Sequence, residues 1–186
     1  NGMFSFVIYD ERNQLLFGAR DRLGKKPFYY YHRGQSFEFA SQPSQLKIER
    51  YFTLDHQAVS EYFIWGYIPE PRSIWYEVKQ LPAGNCFTYQ LDSGSLNIQK
   101  YWDLDYNRDN KFSGSYEEAK STLTGLLTDA VGIRMNADVP IGVFLSGGID
   151  SSLIASIASR KMNHVKSFSI QFNEKGFDES KYAQKV

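Results

Sequence analysis

The chain has 186 residues, enough for one large domain or two smaller units with real cores. Lys+Arg and Asp+Glu each number 21, so the net charge is zero, which argues against broad binding to nucleic acid or to an acidic membrane. One cysteine excludes an internal disulfide and points to a reducing, cytoplasmic setting; no apolar run approaches the ~20 residues that span a bilayer, and the opening "NGMFSFVIYD" lacks a signal-peptide pattern.

Residues 3–41 predict an antiparallel β meander. Phe4, Phe6 and Ile8 alternate with Met3, Ser5, Val7 and Tyr9. Both sets are fairly apolar, so both faces of the strand are expected to be covered. "LLFGARD", "KPFYYYH" and "FEFAS" follow as strands between polar turns. Asp55 is placed to cap a short helix carrying Ala58, Val59, Tyr62 and Phe63 on one face. Two prolines in "GYIPEPRS" break it. "SIWYEVKQL" and "CFTYQL" read as strands around the turn "PAGN", and "DLDYNRDNKFSGS" reads as a linker.

Beyond the linker the texture changes. Ser115 and Glu118 form a capping box ahead of a helical pattern through Ala119, Leu123, Leu126, Leu127, Ala130 and Val131. "ADVP" ends that helix, because the residue before proline avoids the helical region. "IGVFL" is a continuous apolar run, as expected of a parallel strand buried on both faces. "SLIASIASRKM" returns to helical spacing and "VKSFSIQF" reads as a second strand, the β-loop-α-β order of a doubly wound sheet. Asn1 stands directly before a strand, and "GFDESKYAQKV" starts like a helix and stops. The chain therefore reads as a piece of a longer one.

Ser146-Gly147-Gly148-Ile149-Asp150-Ser151-Ser152 joins the predicted strand to the predicted helix. Unsatisfied N–H groups and the helix dipole at such a junction favour an anion. The glycines allow close backbone approach, and the serine hydroxyls add donors. Asp150 is placed either to cap the helix or to hold a magnesium ion. The loop has no Walker lysine and no G-x-G-x-x-G spacing, so a plain Gly-Gly turn with a Ser/Asp cap is the competing interpretation.

"SGGIDSS" after an apolar strand resembles the pyrophosphate loop, S-G-G-x-D-S, of adenylating enzymes of the ATP-pyrophosphatase class. The wider "ADVPIGVFLSGGIDSS" is similar to the branch of glutamine-dependent asparagine synthetases. Upstream, "NGMFSFVIYDERNQLLFGARDRLGKKPFYYY", "FEFASQPSQLK" and "EYFIWGYIPEPRSIWYEVKQLPAGNCF" resemble the later part of that family's glutaminase domain, and "SFSIQFNEKGFDESKYAQKV" resembles the segment after the loop. The resemblance covers nearly the whole chain.

It implies an α+β, N-terminal-nucleophile-hydrolase-like antiparallel domain at 1–102, a linker at 103–115, and at 116–186 the start of a doubly wound α/β domain of the adenine nucleotide α-hydrolase type. It implies ATP contacts at Leu145, Ser146, Gly147, Gly148, Asp150, Ser151, Ser152 and Ile170, with Asp150 as magnesium ligand. The implied substrates are aspartate, glutamine and ATP, with Mg2+ as cofactor, no nucleic-acid or membrane partner, and a homodimer as a possible assembly. The implied activity is ATP-dependent amidation of aspartate through β-aspartyl-AMP.

The family's glutaminase nucleophile is an N-terminal cysteine, whereas the single Cys86 is mid-chain with no free amine beside it. No catalytic residue is therefore assigned, and the isolated chain is expected to be inactive. Relatives that close lactam or peptide rings, or that amidate other carboxylates, share the loop and stay open as alternatives, as does an inactive truncated chain. A tRNA-modifying relative fits the glutaminase-like half and the neutral charge less well. Arg20-Asp21-Arg22-Leu23-Gly24 is expected to be a structural turn whose charges pair near a hairpin end. Gln42-Pro43 departs from the family, which often has an acid after that serine. His32, His56 and His164 lack metal-ligand spacing, and Phe28-Tyr29-Tyr30-Tyr31 reads as a sheet surface or domain interface rather than a base-stacking platform.

Overall fold

The computed structural model describes residues 2–47, 51–106, 111–162, 164–174, 176 and 178–186. Residues 107–110 of the expected linker, and Lys175 and Phe177 near the expected final helix, lie outside the described residues. The chain folds as two compact units, residues 1–106 and 107–186.

The first unit is built from antiparallel strands. β1 (Ser5–Asp10), β2 (Leu15–Arg20), β6 (Asn85–Gln90) and β7 (Leu96–Lys100) form one sheet in the order β1-β2-β6-β7. β3 (Tyr29–Arg33), β4 (Ser36–Ala40) and β5 (Val78–Gln80) form a second in the order β4-β3-β5. The expected single meander is thus two hairpins in two sheets. The reason is non-local: the free edge of β2 is taken by β6, with Gly18 opposite Phe87.

The period of two decides what faces what. β6 buries Asn85, Phe87 and Tyr89 and half-exposes the residues between them. Phe87 and Tyr89, with Val7, Leu16 and Leu96 of the same sheet, meet Phe28, Leu81, Tyr30 and Phe37 from the other side. Phe37 stacks on Tyr89 at 4.8 Å and lies tilted against Phe87 at 5.2 Å between ring centroids. Such pairs contribute roughly 0.5–1.5 kcal/mol each beyond their buried area. β3 turns Tyr30 into this cluster and Tyr31 into a second one with Leu46 and Val78, against which Tyr29, Phe52 and Trp75 pack. The aromatic run is therefore core on both faces of β3.

Gly18 is small because of this packing. A Cβ there would lie 2.5 Å from Cζ of Phe87. Gly18→Ala is expected to overpack the core and lower stability by about 1–3 kcal/mol, read as a shift in the urea midpoint.

β1 differs from expectation. Phe6 and Ile8, which share a face, are both exposed, while Ser5 and Val7 on the other face are partly covered. α1 (His56–Trp65) forms as capped: the Asp55 carboxylate accepts from the N–H groups of Gln57 and Ala58, and Gly66 closes the helix in the left-handed region. Its expected apolar face buries Ala58 but leaves Tyr62 and Phe63 exposed. In "SIWYEVKQL" only β5 is a strand, and Trp75 makes a single bridge to Leu54. A short 3-10 helix (Pro43–Lys47) and β7 were not expected. All three tryptophans belong to this unit: Trp65 ends α1, Trp75 packs on the second cluster, and Trp102 lies under the Arg22 guanidinium.

The second unit begins with α2 (Tyr116–Arg134). Both halves of the predicted capping box are made: Ser115 Oγ accepts from the Glu118 N–H, and Glu118 Oε2 accepts from the Ser115 N–H. β8 (Gly142–Phe144) pairs in parallel with β9 (Lys166–Phe168), and α3 (Ile149–Lys161) lies between them in sequence, the crossover that a parallel pair requires. α4 (Ser180–Ala183) is a single turn. β8 is shorter and more exposed than "IGVFL" predicts; Phe144 is 83% exposed. The sequence supplies a strand apolar on both faces, and the described residues cover only one of them. Among the described residues no helix is long and apolar enough to cross a membrane.

Candidate functional site

The loop after β8 is shaped by its own chain first. Gly147 has φ 80°, and a Cβ there would lie 2.5 Å from the backbone nitrogen of Ala183. Its missing side chain admits the backbone of α4. Gly148, at φ −71° and ψ 165°, is the N-cap of α3 and has only Ser146 Oγ near a would-be Cβ, at an ordinary 3.4 Å. No side chain caps α3. Asp150 thus does not cap the helix; it stands exposed in the first turn, where its charge suits the dipole.

The hydroxyls organise the loop from inside. Ser146 Oγ and Ser151 Oγ are 2.9 Å apart, Ser151 Oγ donates to Gly148 O, and Ser146 Oγ accepts from the Gly148 N–H. The Ser146 N–H donates to Ser151 Oγ. Among the described residues nothing accepts from the N–H groups of Ile149, Asp150 and Ser151. They are the free donors of a helix N-terminus. Ser152 Oγ is inaccessible and has no partner among the described residues.

A cavity of about 340 Å³ opens beside the loop, within the range of small-molecule sites. Leu145, Ser146, Ser151 and Ile170 line it. Gly147, Gly148, Asp150 and Ser152 adjoin it in the loop and first turn without lining it. Leu145 is buried, its N–H donates to Phe168 O, and its carbonyl accepts from Ser169 Oγ. That carbonyl keeps a second lone pair. Ile170 lies beyond the end of β9 and is 69% exposed, so it is not a buried strand residue.

Phe168, Phe172, Ser169 and Glu179 complete much of the wall and were not singled out from sequence. Phe168, Ile170 and Phe172 recur at every second position, and this period of two was the signal that could have found them. The donors and the cavity suit a phosphorylated nucleotide. Among the described residues no group of three His, Cys, Asp or Glu could hold a metal ion. Asp150 alone suits Mg2+ only as one carboxylate beside substrate phosphates, which is how that ion is often bound.

The other candidates are structural. Arg20 and Asp21 are 5% and 1% exposed. The Arg20 guanidinium donates to Lys26 O, Gly24 O, Leu81 O and the Glu70 carboxylate. The Asp21 carboxylate accepts from the N–H groups of Leu23, Lys25 and Lys26. Burial alone would raise its pKa, but these bonds together outweigh burial and hold it below the usual aspartate value. Arg20 thus pairs with Glu70, fifty residues away, and not within its own turn. Cys86 sits half-buried in β6, paired with Ala19 and Gln99. His32, His56 and His164 are all exposed.

Comparison with known proteins adds the family. A glutamine amidotransferase domain model matches residues 1–102, and an asparagine synthase model matches residues 122–186. A Methanocaldococcus jannaschii protein, provisionally named a second glutamine-hydrolysing asparagine synthetase, is 39% identical over all of this chain and 36% of its own length. Glutamine-hydrolysing asparagine synthetase 1 of Bacillus subtilis is 32% identical over all of this chain and 29% of its own length. "Amidase chry2" of Gibberella zeae is 30% identical over all of this chain and 30% of its own length. The chain thus spans about a third of the length of these relatives. With both models matched in order along one chain, this protein belongs to the asparagine synthase family.

Proposed function

We propose that this chain is part of a glutamine-dependent asparagine synthase, an AMP-forming carbon–nitrogen ligase. The observation that carries this reading is the cavity at the end of β8 and β9, lined by the Ser146 and Ser151 hydroxyls and bordered by the free N–H groups of α3. Donors held in place before reaction stabilise charge on a leaving pyrophosphate without reorganising. Leu145 and Ile170 border the adenine, Ser146 to Ser152 surround the phosphates, and Asp150 holds Mg2+, which would neutralise phosphate charge. The aspartate side-chain carboxylate attacks the α-phosphate, releasing pyrophosphate, and ammonia derived from glutamine then displaces AMP from β-aspartyl-AMP. The second unit is read as the start of an adenine nucleotide α-hydrolase-like domain, and the first as an N-terminal-nucleophile glutaminase domain. A cytoplasmic protein, assembling as a homodimer, is the setting proposed.

Cys86 is not the glutaminase nucleophile on this reading, because it lies inside β6 with no free amine beside it. The 186 residues alone are therefore proposed to be inactive as a glutaminase. The direct test is isotope exchange between pyrophosphate and ATP by the full-length protein. Exchange is expected with aspartate and absent without it. Full-chain similarity to "Amidase chry2" favours one second reading, a different acceptor carboxylate. Exchange driven by another carboxylic acid and not by aspartate would select that reading.

A further inference from the structure

Among the described residues the cavity beside the loop has one ionisable lining residue, and the loop chemistry does not use it. Glu179 lines the same cavity as Leu145, Ser146 and Ile170. It immediately precedes α4, and its side chain makes no capping bond and no other hydrogen bond among the described residues. The backbone of α4 packs so closely on Gly147 that no side chain fits there. Glu179 is thereby held at the border between the loop and the apolar wall formed by Phe168 and Ile170.

A carboxylate accepts hydrogen bonds and donates none. Triphosphate oxygens are acceptors too and carry the same sign of charge, so the phosphates are not its partners. The nucleoside offers donors in two places, the ribose hydroxyls and the base amino group. Topology separates them. A loop after the first strand takes phosphate, and in dinucleotide-binding folds an acid past the second strand takes the ribose hydroxyls. Glu179 comes after β9, the second strand of this parallel pair, with the serine loop after the first. Two adjacent carboxylate oxygens also match two adjacent hydroxyls.

We propose that the Glu179 carboxylate is the acceptor for the ribose hydroxyls of the nucleotide bound in this cavity, and so makes the site selective for ribonucleotides. This rests on the assignment of the cavity to ATP.

The test is equilibrium binding by calorimetry with the full-length protein, independent of turnover. Wild type is expected to bind ATP about 10- to 100-fold more tightly than 2′,3′-dideoxy-ATP, the range for hydrogen bonds to a charged group. Glu179→Ala is expected to lose that preference by weakening ATP alone, and Glu179→Gln to lose most of it. Equal affinity of wild type for the two nucleotides would overturn the proposal. So would a Glu179→Ala variant that keeps the preference, one that weakens both nucleotides equally and needs more Mg2+, or one whose effect appears only against inosine triphosphate, which would place the carboxylate at the base. If wild type binds no ATP at all, the cavity assignment itself fails, and that result is distinct from all of these.

Discussion

Gly147→Val in the full-length protein is expected to cut ATP-dependent pyrophosphate release by about 100-fold or more, the scale seen when fixed donors to a developing anion are displaced. Two causes act together. A β-branched residue is strained at φ 80°, and its Cβ would press on the backbone of Ala183, which has no rotamer to change. Either the loop or α4 must shift, and the loop and Glu179, directly ahead of α4, border the cavity. Gly148→Ala is the informative partner. It has a φ open to any residue and ordinary space for a Cβ, so thermal stability is expected to stay within about 0.5 kcal/mol of wild type. If Gly148→Ala nevertheless loses ATP binding, the intolerance comes from the nucleotide approaching the backbone. Normal pyrophosphate release by Gly147→Val would show that the approach of α4 to the loop has no part in the chemistry.

Arg20→Met is expected to destabilise the first unit by about 3–5 kcal/mol, because it strands a carboxylate and several carbonyls at once. Glu70 loses its cation, and the carbonyls of Lys26, Gly24 and Leu81 lose their donor. Arg20→Lys is not a rescue, since an ammonium cannot span this fork of acceptors. The check is guanidinium unfolding followed by circular dichroism, with the slope compared between variants to verify that the unfolded state is unchanged. A midpoint within error of wild type would mean that water replaces the guanidinium.

Features set by neighbouring residues were legible. The Asp55 cap, the Ser115–Glu118 box and the β-loop-α-β order depend on spacings of a few residues, and each is present. Features set by distant pairing were not. Nothing local says that β2 pairs with β6 or that β3 pairs with β5, so one meander was expected where two sheets form. β7 escaped notice because "LNIQK" has only two apolar residues and its place is fixed by β6. At the site, the S-G-G-x-D-S spacing marked the loop but assigned both glycines to the ligand. The structure separates them: Gly147 makes room for the chain, while Gly148 leaves room unused. Glu179 had no motif to announce it, because its place depends on how α4 meets the loop.

The placement of Trp65, Trp75 and Trp102, all before residue 107, makes the two units optically distinct. All indole emission from this chain therefore originates in the antiparallel unit. Tyr116 and Tyr182 are then the only hydroxylated rings of the other unit. Melting of the second unit exposes no indole of its own, and a ligand that sharpens a tyrosine signal while leaving indole emission unchanged is expected to have engaged that unit.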